Sequence, residues 1–157
     1  GRFGDLQLTV SAQPGHALDD RFIAEELLGP RASTGYRYAD FQRLGVLLAF
    51  GSDAPVSSAD PRYGLQSAVH RSLSGGTPWY PAQALSFDAA MRAYTTGAAQ
   101  AAGWNSELGT LKPGSPADLV VWSRGFERSP NFMDQSVWLT VSGGHIVFQE
   151  EAMALER

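Results

Sequence analysis

The chain has 157 residues, 43% apolar and 18% charged, with a net charge of −4 at pH 7 and no cysteine. That is too apolar for a disordered chain and enough for one domain, or for a small domain with a piece of another; disulfides, thiolate chemistry and cysteine-held zinc are excluded. No basic stripe offers itself to nucleic acid or an anionic membrane, and no apolar run approaches the ~18 residues of a membrane span.

Residues 6–12 (LQLTVSA) read as a short strand ended by Gln13-Pro14-Gly15. Asp19 or Asp20 can cap a helix through Phe22, Ile23, Leu27 and Leu28, closed by Gly29-Pro30. A polar loop over 31–36 leads to a short helix over 38–44, stopped by Gly45. Residues 46–50 (VLLAF) are an all-apolar run of the kind found in strands buried on both faces, as in parallel sheets. The run ends abruptly in Gly51-Ser52-Asp53-Ala54-Pro55.

Asp60-Pro61 is a helix start, a cap followed by proline at the first helical position. Leu65, Val69 and Leu73 then form one apolar stripe, as far as Gly75-Gly76. After a loop to Ala84, Ser86 caps the longest helix. Ala90, Met91, Tyr94, Ala98 and Ala101 share one of its faces, and Gly103 stops it. Beyond Gly103 the character changes: a turn-rich stretch over 108–117, a strand over 118–122 (DLVVW), and a hairpin of 136–142 and 145–148 around Gly143-Gly144. The polar tail, 150–157, suits a short exposed helix.

These elements predict an α/β fold, with β-α-α-β-α-α over the first two-thirds and a small β unit after it. Two parallel strands are too few to close a barrel or to bury 46–50 on both faces, and three strands fall short of a full sheet. Both halves lack partners, which predicts a fragment, or a chain completed by another piece. The first residues read as mid-fold, so the lack of a signal peptide carries little weight, and the cytoplasm is the default compartment.

In parallel α/β architectures functional residues sit just past the C-terminal ends of strands. Asp53 stands there, with Gly51 to let the backbone turn and Ala54-Pro55 to stiffen the exit. A carboxylate so fixed can ligate a divalent metal or accept a proton from its water; alternatively it caps a turn, since Ser-Asp-x-Pro is good turn chemistry. His16 follows the other strand by the same logic, as a pocket residue or a loop histidine bonded to backbone. Arg71, beside the stripe of its helix, either reaches a substrate carboxylate or carbonyl, or is a solvated or ion-paired helix residue. His70 reads as a surface residue and His145 as a strand residue without a role. Trp79 and Tyr80 either wall a pocket or plug a gap between helices. Asp118 reads as a turn residue. No nucleophile elbow, Walker loop or dinucleotide fingerprint is present.

Several segments together resemble amidohydrolase family 3, the proteins similar to N-substituted formamide deformylase. They are Ser11-Ala-Gln-Pro-Gly-His16, Phe50-Gly-Ser-Asp-Ala-Pro-Val56, Asp60-Pro61, Ala68-Val-His-Arg71, residues 86–99, residues 108–121 and residues 137–147. The resemblance implies the C-terminal part of a (β/α)8 TIM-type barrel over residues 1–103, followed over 104–157 by part of a small composite β-sandwich. It implies one or two divalent metals, usually zinc, and hydrolysis of a C–N bond in an amide-like small molecule by metal-activated water. Asp53 then matches the last-strand aspartate, which binds metal and passes the proton of the attacking water to the leaving nitrogen. His16 matches a pocket histidine rather than a metal ligand. The family's His-x-His pair and middle-strand ligands are absent, and zinc in a catalytic site takes about three protein ligands, so the chain alone is expected to be inactive and metal-free.

Two readings compete. In one, the chain is a non-catalytic module that forms homo-oligomers through its unpaired strand edges. In the other, it is a small-molecule-binding domain built on Trp79, Tyr80 and Arg71.

Overall fold

The computed structural model describes residues 2–73 and 75–151; the expected tail helix falls largely on 152–157, outside them. After a short helix α1 (Arg2–Asp5) comes strand β1 (Thr9–Ala12), later than the sequence suggests. The chain is still turning before it: Leu8 N–H donates to the Phe3 carbonyl (3.0 Å), and Gln7 is left-handed (φ 51°). Strand β2 (Leu47–Phe50) pairs with β1 in parallel, Thr9 opposite Leu47 through Ala12 opposite Phe50. One residue further on, Gly51 N–H donates to the Ala12 carbonyl (3.1 Å), so the two strand exits leave in step.

Between the strands lie α2 (His16–Asp19), α3 (Arg21–Leu28), a 3-10 turn (Gly29–Thr34) and α4 (Tyr38–Arg43). Asp20 stands at the N-terminus of α3, but its carboxylate accepts from the Tyr36 hydroxyl instead of a helix N–H. On α3, Phe22, Ile23 and Leu27 face outward and Ala24 faces the body, where small Ala17 and Ala32 surround Trp79.

After β2, α5 (Pro61–His70) starts at Asp60, which accepts from Arg62 N–H (2.9 Å). Ser86 likewise caps α6 (Phe87–Arg92) by accepting from Ala89 N–H (3.2 Å). That helix continues through a π turn (Ala93–Gly97) into α7 (Ala98–Ala101). The wider π turn shifts the face: Ala89, Ala90, Ala93, Gly97 and Ala99 are buried, whereas Ala101 of the simple 3.6-residue stripe is exposed. At Gly97 the helix backbone comes so close to β2 that a Cβ would lie 2.1 Å from the Leu48 carbonyl oxygen.

The last third forms a second sheet, antiparallel and ordered β3 (Leu119–Trp122), β4 (Val137–Ser142), β5 (His145–Gln149). Gly143 and Gly144 are both left-handed (φ 56° and 81°), which the tight hairpin turn requires. The Asp118 carboxylate receives Gly143 N–H (2.6 Å), the expected turn role.

Contrary to expectation, β2 is covered within these residues: Leu48, Ala49 and Phe50 are all buried. Tyr38, Phe50 and Tyr94 pack edge to face at 5.3 and 5.5 Å. Phe126 and Phe132 from the connection between β3 and β4 enter the same core, with Phe132 fully enclosed. Buried Gln66 of α5 joins the two parts, accepting from Phe132 N–H (2.9 Å) and donating to the Ser72 carbonyl (2.9 Å). Among the described residues, no helix is long and apolar enough to cross a membrane.

Candidate active site at the strand exits

Parallel pairing puts the C-terminal ends of β1 and β2 side by side, so residues just past them meet. His16 opens α2 four residues beyond the end of β1, and Asp53 lies three residues beyond β2. The His16 Nε2 stands 3.9 Å from Asp53 Oδ2; the imidazole is 22% exposed and the carboxylate 53%. That gap exceeds a hydrogen bond, and Nε2 is enclosed with no hydrogen-bond partner among the described residues. A carboxylate oxygen and an imidazole nitrogen, the latter unpaired among the described residues, thus face one another at the strand exits.

The turn at Asp53 differs in detail from expectation. Gly51 is not left-handed; Asp53 itself is (φ 59°), with its carbonyl accepting from Val56 N–H (2.8 Å). Aspartate is one of the few non-glycine residues that tolerates this conformation.

The two exits are tied together by Asp19, at the end of α2. Its Oδ2 accepts from the Ser57 hydroxyl (2.9 Å), in the segment after Asp53, and its Oδ1 accepts from the Tyr63 hydroxyl on α5. Burial, reinforced by that bond and by the charge of Asp19, pushes the Tyr63 phenol well above its ordinary range. A Cβ on Gly15 would lie 3.0 Å from both Ser57 Oγ and the Tyr63 ring. No local pattern signals this tie, because its members are far apart in sequence; only the topology joins them.

Arg71 does not join the pair. It is neither solvated nor ion-paired, but 0% exposed, with a left-handed backbone (φ 57°) just past the end of α5. Its Nε donates to the Trp79 carbonyl (2.9 Å), and Trp79 N–H donates to the Arg71 carbonyl (2.7 Å). The guanidinium carbon sits 5.6 Å from the Tyr38 ring centre and 5.5 Å from that of Trp79. Both terminal nitrogens lack partners among the described residues. Burial lowers its pKa, partly offset by Tyr38 and Tyr36. A helical stripe places such an arginine at the edge of the surface; the left-handed turn after His70 is what swings it inward.

His70 is likewise not a plain surface residue: its Nε2 lies 3.0 Å from the Ser129 carbonyl, and its ring packs 4.7 Å from that of Phe132. Trp79 plugs the gap beside α3, 6% exposed and donating from its indole to Glu25 (2.7 Å). His145, on β5, is exposed.

Residues 1–148 match the Amidohydrolase family. The chain belongs to that family. It is 36% identical over 148 residues to Protein LONG AFTER FAR-RED 3 of Arabidopsis thaliana, covering 91% of this chain and 25% of that protein. It is 36% identical over 80 residues to N-substituted formamide deformylase of Arthrobacter pascens, covering 51% of this chain and 15% of the deformylase. An uncharacterized metal-dependent hydrolase from Pyrococcus horikoshii OT3 superposes with a TM-score of 0.65 at 27% identity, over 94% of this chain and 28% of that one. The matches therefore cover between 15% and 28% of the length of these relatives. The resemblance to amidohydrolase family 3, carried by segments along nearly the whole chain, is borne out, and the solved neighbours are amidohydrolase-family proteins with a TIM-barrel fold.

Metal chemistry of the kind named for the Pyrococcus hydrolase needs more donors than stand here. Among the described residues no group of three or more His, Cys, Asp or Glu is placed to hold an ion. The Asp53 carboxylate and the unpaired His16 nitrogen are donor types that suit zinc, but they are two, and a catalytic zinc takes about three from protein.

Proposed function

We propose that this chain forms the closing part of a metal-dependent amidohydrolase that cleaves a C–N bond in an amide-like small molecule. In this reading residues 1–103 are the last two strands and helices of a TIM-type barrel, and residues 104–157 are part of a composite β-sandwich. The observation that carries it is the meeting of His16 and Asp53 across 3.9 Å at the exits of two parallel strands. Family membership and a left-handed backbone at the aspartate support it, because uncommon backbone conformations gather at functional sites.

Asp53 would hold the metal through its carboxylate, with the other ligands supplied by the rest of a whole hydrolase of the kind the chain resembles in part. A divalent metal, zinc by this donor type, supplies Lewis acidity and an acidified water when bound. Asp53 takes up the proton of the attacking water and returns it to the leaving nitrogen. His16, with Nε2 enclosed and unpaired among the described residues, lines the substrate pocket beside it. Arg71 is sealed from substrate here, and its work is to hold Trp79 in place after α5.

The test is hydrolysis of a panel of N-substituted formamides by the intact polypeptide carrying this chain, loaded with zinc, beside its Asp53→Asn variant. Hydrolysis by the wild type and a loss of roughly 100-fold or more in the variant are expected. An undiminished rate in Asp53→Asn would falsify the role given to this carboxylate.

A further inference from the structure

The His16–Asp53 pair rests on two loops that have little packing of their own. Asp53 is more than half exposed, and the residues around it from Asp53 to Val56 are exposed too. Its turn closes through a single backbone bond, from Val56 N–H to the Asp53 carbonyl. Something outside the turn must fix where the carboxylate sits relative to the imidazole. Among the described residues, three side-chain bonds join the two exits: the two accepted by Asp19, which reach the Asp53 loop and the start of α5, and one from buried Ser67, further along α5, to the Pro14 carbonyl.

Asp19 is well placed for that work. It lies one helical turn after His16 on α2, so its position is coupled to that of the imidazole through a rigid segment. Ser57 lies four residues after Asp53, where the exit loop returns toward α5, and Tyr63 sits in the first turn of α5 itself. Each carboxylate oxygen therefore grips a different part of the Asp53 side: one the returning loop, the other the helix that anchors it. Gly15 removes the remaining slack, since a Cβ there would press on both Ser57 and Tyr63 at 3.0 Å.

We propose that Asp19 is a positioning residue, which through Ser57 and Tyr63 sets the spacing between His16 and Asp53. The proposal rests on the reading of that pair as part of the catalytic centre. It makes a distinction that simple stabilisation does not: weakening the clamp changes the surroundings of the His16 ring in an otherwise intact fold.

The three histidines of the chain make this measurable. His16 reports the site, His70 reports the core through its contacts with Ser129 and Phe132, and exposed His145 serves as a reference. Long-range proton–nitrogen spectra of the imidazoles are recorded at one pH on the nitrogen-15-labelled chain. Asp53→Asn is expected to shift the His16 Nε2 signal. Ser57→Ala, Tyr63→Phe and Asp19→Asn are expected to shift it in the same direction and leave His70 and His145 in place. Tyr63→Phe and Ser57→Ala each remove one hydroxyl and carry the test if Asp19→Asn does not fold. Asp118→Asn, which loosens only the β4–β5 turn, is expected to leave His16 unmoved. If Asp53→Asn shifts His16 while the clamp variants do not, Asp19 is structural only and the proposal falls while the site stands. An equal shift from Asp118→Asn overturns it as well. If Asp53→Asn leaves His16 unmoved, the pair itself is not formed, and the reading of the site goes with the proposal.

Discussion

Arg71 takes a full charge into the interior with one hydrogen bond, from Nε to the Trp79 carbonyl, and two aromatic faces to offset the lost water. Its two bare nitrogens are a cost, because a buried charge is normally met by a counter-ion or several acceptors. Its aliphatic stem and planar head nevertheless fill the space between Tyr38 and Trp79. Shape and charge therefore pull in opposite directions, and substitutions separate them. Arg71→Ala opens a cavity and strips a partner from the Trp79 carbonyl, with an expected loss of about 2–4 kcal/mol. Arg71→Met strips the same partner but keeps most of the volume and removes the charge, so its loss is smaller, about 1–2 kcal/mol. Urea unfolding of the two variants measures the difference; equal losses would mean that the charge, not the packing, holds this loop. The sequence could not reveal this residue's setting, because nothing in the pattern around His70 announces a left-handed residue at 71. Asp53 and His16 were legible for the opposite reason: a buried strand that stops abruptly before a polar residue leaves few places for the side chain to go.

Among the elements, the crossing of α5 with the long helix is governed by Gly64. A Cβ at that position would lie 1.8 Å from the Tyr94 hydroxyl oxygen, on the ring that also packs against Phe50. Gly64→Ala therefore has to displace the Tyr94 ring from its packing on Phe50, although alanine is ordinarily the better helix former. We expect a loss of about 1–3 kcal/mol from forcing the two helices apart, read as a lower urea midpoint, with the double variant Gly64→Ala/Tyr94→Leu recovering much of it. A neutral Gly64→Ala would show that the helices are free to slide. Caps, glycine stops and the hairpin were written in local chemistry, and Asp60, Ser86 and Gly143-Gly144 play the parts expected of them. The π turn was not, because Ala93 to Gly97 has no sequence feature that separates it from ordinary helix. It is the contact with β2 that makes the wider turn useful, since it brings bare Gly97 onto the strand.

At the scale of the whole molecule, the apolar residues of α3 are turned outward, Phe22 67%, Ile23 56% and Leu27 71% exposed. Further apolar side chains lie open on β5, at Ile146, Val147 and Phe148. Surface of this kind buries itself against something. In the absence of other chain, the 157 residues are expected to associate through the α3 face. Sedimentation should show species heavier than a monomer, and Phe22→Glu/Leu27→Glu should return the chain to one; a wild type that stays monomeric at high concentration argues that this face is innocuous. The fold class was readable because parallel strands and amphipathic helices leave period-specific patterns. The direction in which α3 faces was not, since a stripe says that a helix is two-sided and not which side meets this body; the small Ala17, Ala32 and Ala24 around Trp79 decide that.

Gly97 connects remote parts of this arrangement. The strand it touches at Leu48 is the one from which Asp53 emerges five residues later. Any side chain added there acts as a wedge under β2, and the thrust is delivered along the strand to its far tip. The accuracy of the carboxylate then depends on a buried residue of the helix behind the strand, remote from the chemistry it serves.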